Sequence, residues 1–183
     1  PNSLTLSAHW SEQNNAYYIW QTSTMHFRTL GLAVGLGTRL QWPDPNFTLY
    51  VEGQYRRYAL KNWDYFIMKD GNANELSLKL AFGRSTVNQP IYPRDGSEFS
   101  VTATFTPPVS LWDGKDYADE TLPDRSRYKW IEYHRWQLRG RWFQALTRNS
   151  NLVLMAHAEM GYLGHYNKHK VSPFQRFEIG GDG

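Results

Sequence analysis

The stretch that decides the fold is Thr29–Trp42, TLGLAVGLGTRLQW. Every second residue from Leu30 gives Leu30, Leu32, Val34, Leu36, Thr38, Leu40 and Trp42; the others are Gly31, Ala33, Gly35, Gly37, Arg39 and Gln41. A period of two places these sets on opposite faces of one strand. In a water-soluble sandwich the greasy set would be the core. In a membrane barrel it would touch lipid, and the small, polar set would line the lumen.

The same alternation recurs outward from this stretch. Leu4–Trp10, Phe47–Tyr55, Leu76–Phe82, Phe99–Phe105, Trp136–Trp142 and Leu152–Tyr162 each carry apolar residues in one register and mostly polar or small ones in the other. That makes about seven strands of roughly 10 to 13 residues, near the length of a tilted membrane-crossing strand and longer than usual globular strands. No segment has a convincing helical period.

The connections sort by length. The links near 43–46, 85–96 and 147–151 are short or modest turns; those at 11–28, 61–72 and 107–130 are long and polar. A meander places alternate connections at the same end of a sheet, so one end carries turns and the other loops, as in outer-membrane barrels. The 107–130 loop, with its mixed charges, reads as a solvated surface loop. The ends, at Pro1 and at Gly180-Gly181-Asp182-Gly183, read as those of a piece cut from a longer chain.

Two features decide which face is inside. The polar register mixes Gly, Ser and Thr with Arg39, Glu52, Arg56, Arg135, Arg139, Arg141 and Glu159, a mixture that suits a wet lumen. The apolar registers end in aromatics: Trp42, Phe47 and Trp142 toward the short turns, and Trp10, Trp136 and Tyr162 toward the long loops. Trp and Tyr favour the membrane–water interface because their rings are part apolar and part hydrogen-bonding, so these residues read as two girdles. The expected fold is therefore all-β: an antiparallel up-and-down transmembrane β-barrel, here a partial one of about seven strands. In a plugged lumen the arginines would pair with carboxylates of neighbouring strands or of a loop, since buried charge must be paired.

Composition narrows the function. The 183 residues carry a formal net charge of +3, and 16 % are aromatic. That charge, without Lys/Arg runs, is too weak to argue for a nucleic-acid partner. There is no cysteine, hence no disulfide and no thiolate metal site. The pattern holds no phosphate loop, nucleophile elbow or zinc signature. His157 and Glu159 share a strand face and read as a lumen pair, and His165 and His169 as surface. No catalytic residue, metal or cofactor is expected.

The final stretch, SPFQRFEIGGDG (Ser172–Gly183), supplies Pro173, Phe174, Phe177, Gly180 and Gly181 at a spacing that resembles the BamA family where it enters its long inward-folded loop. QPIYPRDGSEFS (Gln89–Ser100), with Pro93, Gly96 and Phe99, resembles the family's periplasmic turn and strand start. LGTRLQWPD (Leu36–Asp44) and KWIEYHRW (Lys129–Trp136) look like further family segments. The resemblance covers essentially the whole chain, residues 1–183. It implies the central part of a barrel domain in the bacterial outer membrane, up to the start of the inward loop. The POTRA domains, the other strands and the Arg-Gly-aromatic loop tip lie outside the sequence. It implies an assembly factor that folds and inserts β-barrel proteins without enzymatic chemistry. The implied partners are unfolded barrel clients, accessory lipoproteins, outer-membrane lipids and lipopolysaccharide. A porin or two-partner secretion transporter is the alternative.

Overall fold

The computed structural model describes residues 2–15, 25–63, 68–149, 151–172 and 174–175. Seven strands form one antiparallel sheet in chain order: β1 (Asn2–Asn15), β2 (Met25–Arg39), β3 (Phe47–Lys61), β4 (Gly71–Ser85), β5 (Gly96–Phe105), β6 (His134–Ala145) and β7 (Val153–Gly164). β1 to β4, at 14 or 15 residues, overshoot the expected strand length, whereas β5, at 10, and β6 and β7, at 12, match it. In β1 to β4 most of the extra length lies at the long-loop end, where pairing continues after the outward residues turn polar. Glu12 there faces Arg28 across the ladder, with their side chains 3.0 Å apart, and Asn14 meets His26 at 2.6 Å.

The two registers of Thr29–Trp42 separate as alternation demands. Gly31, Ala33 and Gly35 are buried, whereas Leu30, Leu32, Val34 and Leu36 are exposed. The register carries this outward face across the sheet in rows. One row runs Leu4, Leu36, Val51, Leu80, Ala103, Trp136 and Tyr162. The buried small residues leave room for inward rings: a Cβ on Gly35 would lie 2.1 Å from the Tyr50 hydroxyl. Apolar burial is concentrated on the inward side, under the long loops. Tyr58, Leu60, Trp63, Met68, Ala73, Tyr128, Ile131 and Tyr133 form the core there, with Phe27 and Phe174 packed against it.

The loop 107–130 departs from the solvated segment expected of it. It contains a 3-10 turn at Val109–Leu111 and one helical turn at Asp124–Arg127, and it buries Ser110, Tyr117 and Tyr128. The reason is an unfilled edge. β5 pairs with β4 only from Leu78 toward Ser85, so the upper half of β4 has no strand neighbour on that side. The returning loop takes that edge through a parallel bridge between Asn74 and Trp130, with Asn74 N–H donating to Lys129 C=O and Ile131 N–H to Asn74 C=O, at 2.9 and 2.8 Å. The N–H and C=O of Asn74 would otherwise lack partners on this edge, which is costly, and the loop supplies them.

The 86–95 turn ends at Gly96, whose φ of +107° is a glycine conformation. A Cβ there would also sit 2.4 Å from the Thr86 carbonyl oxygen. Gly96→Ala is therefore expected to destabilise the full-length protein by about 1–3 kcal/mol. The measurement is the urea midpoint of the barrel in micelles; an unchanged midpoint would contradict this role for the turn.

Candidate functional site

Two buried carboxylates organise the space between the wall and the loops. Glu75 on β4 faces inward and is fully buried. Tyr58 on β3 and Tyr133, just before β6, each donate a hydroxyl to it at 2.8 Å, Gln175 donates its amide at 3.3 Å, and the Arg56 guanidinium lies 3.8 Å away. A buried carboxylate with so many donors is satisfied without water. It thereby joins two strands, the 107–133 loop and the segment beyond Ser172.

Glu132 is the second, 1 % exposed. It accepts from the Ser110 N–H and hydroxyl at 2.7 and 2.5 Å and from the Lys170 ammonium at 2.8 Å. Lys170 also sits 4.5 Å from the centre of the Tyr117 ring, and the Tyr117 hydroxyl donates to Asp113. Burial and the Asp113 contact push the Tyr117 phenol above its ordinary pKa. Burial alone would raise Asp113, but the Tyr117 hydrogen bond, the Lys115 N–H and nearby lysines outweigh it and hold its carboxyl below the ordinary range.

These contacts dock the segment 170–175 at three successive points: Lys170 on Glu132, Phe174 stacked on Tyr58 with ring centres 4.5 Å apart, and Gln175 on Glu75. Of the five residues expected in the inward-loop stem, Phe174 lies at this junction; Pro173, Phe177, Gly180 and Gly181 fall outside the described residues.

The other expected site residues are placed as follows. Arg139 pairs with Glu159 at 2.9 Å and Arg141 with Glu98 at 2.6 Å, so these arginines meet carboxylates of neighbouring strands. His157 stands 4.0 Å from Glu159. Glu52 accepts from the Tyr50 hydroxyl at 2.6 Å and faces Lys79 across the ladder. Glu52, Arg56 and Arg135 line a polar cavity of about 200 Å³ with Lys79, Tyr133 and Gln175, whereas Arg39 is exposed at the strand end. Trp10, Trp136, Trp142 and Tyr162 lie on the outward face, and Trp42 is 84 % exposed beside the first turn. Phe47 stacks on Phe82 and meets Phe99 edge-on. Pro93 and Gly96 lie in the 86–96 turn, which Thr86 and Ser97 close by reciprocal bonds. Among the described residues no three His, Asp or Glu side chains gather as metal ligands.

Sequence reasoning missed Glu132 and Lys170 as a pair and Glu75 as a hub. The only signal was the KWIEYHRW stretch that contains Glu132. It also missed Trp130. Bridged residues share a sheet face, so Trp130 joins Asn74 on the outward side.

Comparison with known proteins fits this geometry. The Omp85 superfamily domain matches residues 1–183, and the chain belongs to that superfamily. No curated protein sequence matches it significantly. Among solved structures it is similar to BamA from Haemophilus ducreyi lacking POTRA domains 1–3, with a TM-score of 0.70 and 17 % identity. All of this chain aligns, but it spans only 34 % of that one. The fold is that of a BamA barrel wall, and the chain is a bacterial outer-membrane protein.

Removing one member of a buried ion pair leaves the other uncompensated, a loss of about 3–5 kcal/mol. Lys170→Met in the full-length protein should therefore expose residues 165–175 to protease, and adding Glu132→Leu should recover part of the protection. A single variant as resistant as wild type would contradict the pairing. Because the Asp113 pKa is depressed in the folded state, its contribution is complete above the ordinary carboxylate range, near pH 4, and is lost as pH falls through the depressed value. Protease resistance of the 107–133 loop should then be flat from about pH 7 to 5 and drop below about pH 4. An equal loss of resistance by pH 5 would contradict this.

Proposed function

We propose that this chain is the central part of the barrel of an outer-membrane protein assembly factor, which folds and inserts other β-barrel proteins. The observation that carries the reading is the docking of residues 170–175 onto the wall and the 107–133 loop. Held at Lys170, Phe174 and Gln175, the chain there is a fixed part of the barrel, as the stem of an inward loop needs to be. The wall then works as a scaffold, with no covalent step. Lateral strand edges are templates for incoming strands through backbone hydrogen bonds. β1 and β7 each have one sheet neighbour among the described elements, and in the full-length protein further strands close the barrel beside them. Unfolded barrel clients, accessory lipoproteins, and outer-membrane lipids including lipopolysaccharide are the partners of this reading.

A transport role is the competing reading. The polar cavity beside Arg135 and Gln175 favours it, since a transporter needs a wet path. The two separate in one preparation. The full-length protein is placed in liposomes with an unfolded outer-membrane barrel as client, and the client's heat-modifiable gel shift is followed over time. Faster folding than with empty liposomes or an unrelated barrel is expected, with Lys170→Met slower than wild type. No acceleration by a correctly folded protein supplied with its accessory subunits, combined with ion conductance, would transfer the assignment to transport.

A further inference from the structure

The outward face carries one feature that neither the scaffold role nor the stem docking uses. Gly53 on β3 stands in the outward register, where its neighbours are Val34 and Leu78. A Cβ placed on it would meet nothing within 4 Å. The missing side chain opens a groove of about 580 Å³ across β1 to β4, walled by Leu6, Leu32, Val34, Tyr55 and Leu76.

Directly above it, toward the long loops, stands Arg57. It is four residues from Gly53, about 13 Å along the strand, in the same register. The ladder sets it beside Leu30, which in turn pairs with Trp10, so it lies at the level of the outer aromatic residues. Arg57 is exposed, and none of the ion pairs among the described residues includes it. Its ladder neighbours, Leu30 and Asn74, are not acidic. Arg28, one step higher, is neutralised by Glu12 at 3.0 Å. Asn74, across the ladder, is held by the Tyr55 hydroxyl and donates to the Lys129 carbonyl. A cation at the headgroup level above an apolar groove matches an anionic lipid with a chain hanging below its phosphate.

We propose that the β1–β4 face is a binding site for the phosphorylated, multiply acylated saccharolipid of the outer leaflet, that is, the lipid A portion of lipopolysaccharide. A phosphate rests on the Arg57 guanidinium and one acyl chain fills the groove left by Gly53. The level of Arg57 at the long-loop end selects the outer leaflet, and its lone positive charge selects an anionic headgroup. This inference rests on the proposed reading for its lipopolysaccharide partner and gives that partner a place on the wall; the assembly role is read by client folding and this site by lipid retention, so the two fail separately.

The test uses the full-length protein purified in detergent and exposed to lipid A or to phosphatidylglycerol, with retained lipid counted by native mass spectrometry. Two variants are compared with wild type: Arg57→Gln, which removes the charge, and Gly53→Leu, which fills the groove. Both positions are open on the outward face, and heat-modifiable migration verifies that each variant is folded. Wild type should retain lipid A in preference to phosphatidylglycerol, and each variant should lower lipid A affinity about tenfold, the scale of one charge-assisted contact. Retention unchanged in both folded variants would overturn the site. Equal retention of the two lipids by wild type would overturn its assignment to the saccharolipid.

Discussion

A strand inside hydrocarbon has no water to satisfy its N–H and C=O groups, so every one of them must be bonded to a neighbouring strand. The rest of this structure depends on that constraint. It requires the unbroken antiparallel ladder from β1 to β7, and a pleated ladder sends alternate side chains to opposite sides. One side meets lipid and is greasy; the other meets a lumen and is polar. Nearer the interface, the general need for partners on buried backbone groups accounts for an irregularity among the described residues. Where β5 stops short of the upper half of β4, the chain from Lys129 to Ile131 supplies the bridge to Asn74. Because that bridge pulls the loop inward, Glu132 and Tyr133 come to lie over the lumen.

The consequences pass from backbone to charge. Glu132 and Glu75 are too deeply buried to stand alone, and each is surrounded by donors from separate parts of the chain. Buried charge pairs give little net stability over a well-packed apolar substitute, but losing one partner is costly. Their value here is positional. They fix where the loop and the segment 170–175 meet the wall. The ion pairs lower on the wall differ in kind: Arg139–Glu159 and Arg141–Glu98 are part-exposed, and such pairs contribute about 0–1 kcal/mol each.

What the sequence made legible follows from the same physics. The sidedness of Leu30–Leu36 against Gly31–Gly37 could be read because a period of two is a local pattern, repeated in every strand. The meander could be read from the sorting of short and long links. The strand ends could not, because β1 and β2 continue pairing through Glu12–Arg28 and Asn14–His26 after the apolar signal stops. Nor could the buried nodes. Glu132 and Lys170 are 38 residues apart in mixed-charge segments that look solvated, and only the unfilled edge of β4 brings them together. The stacking of Phe174 on Tyr58 could not be read either, because nothing local links a strand residue to a ring more than a hundred positions away.

The most direct test of this account is a scan of single cysteines along β4 in the full-length protein, labelled with an environment-sensitive fluorophore and reconstituted with brominated lipids. The account predicts strong quenching at Leu76, Leu78 and Leu80 and weak quenching at Ser77 and Lys79, a strict alternation that puts the greasy register in lipid. Equal quenching in both registers, or stronger quenching at Ser77 and Lys79, would contradict it.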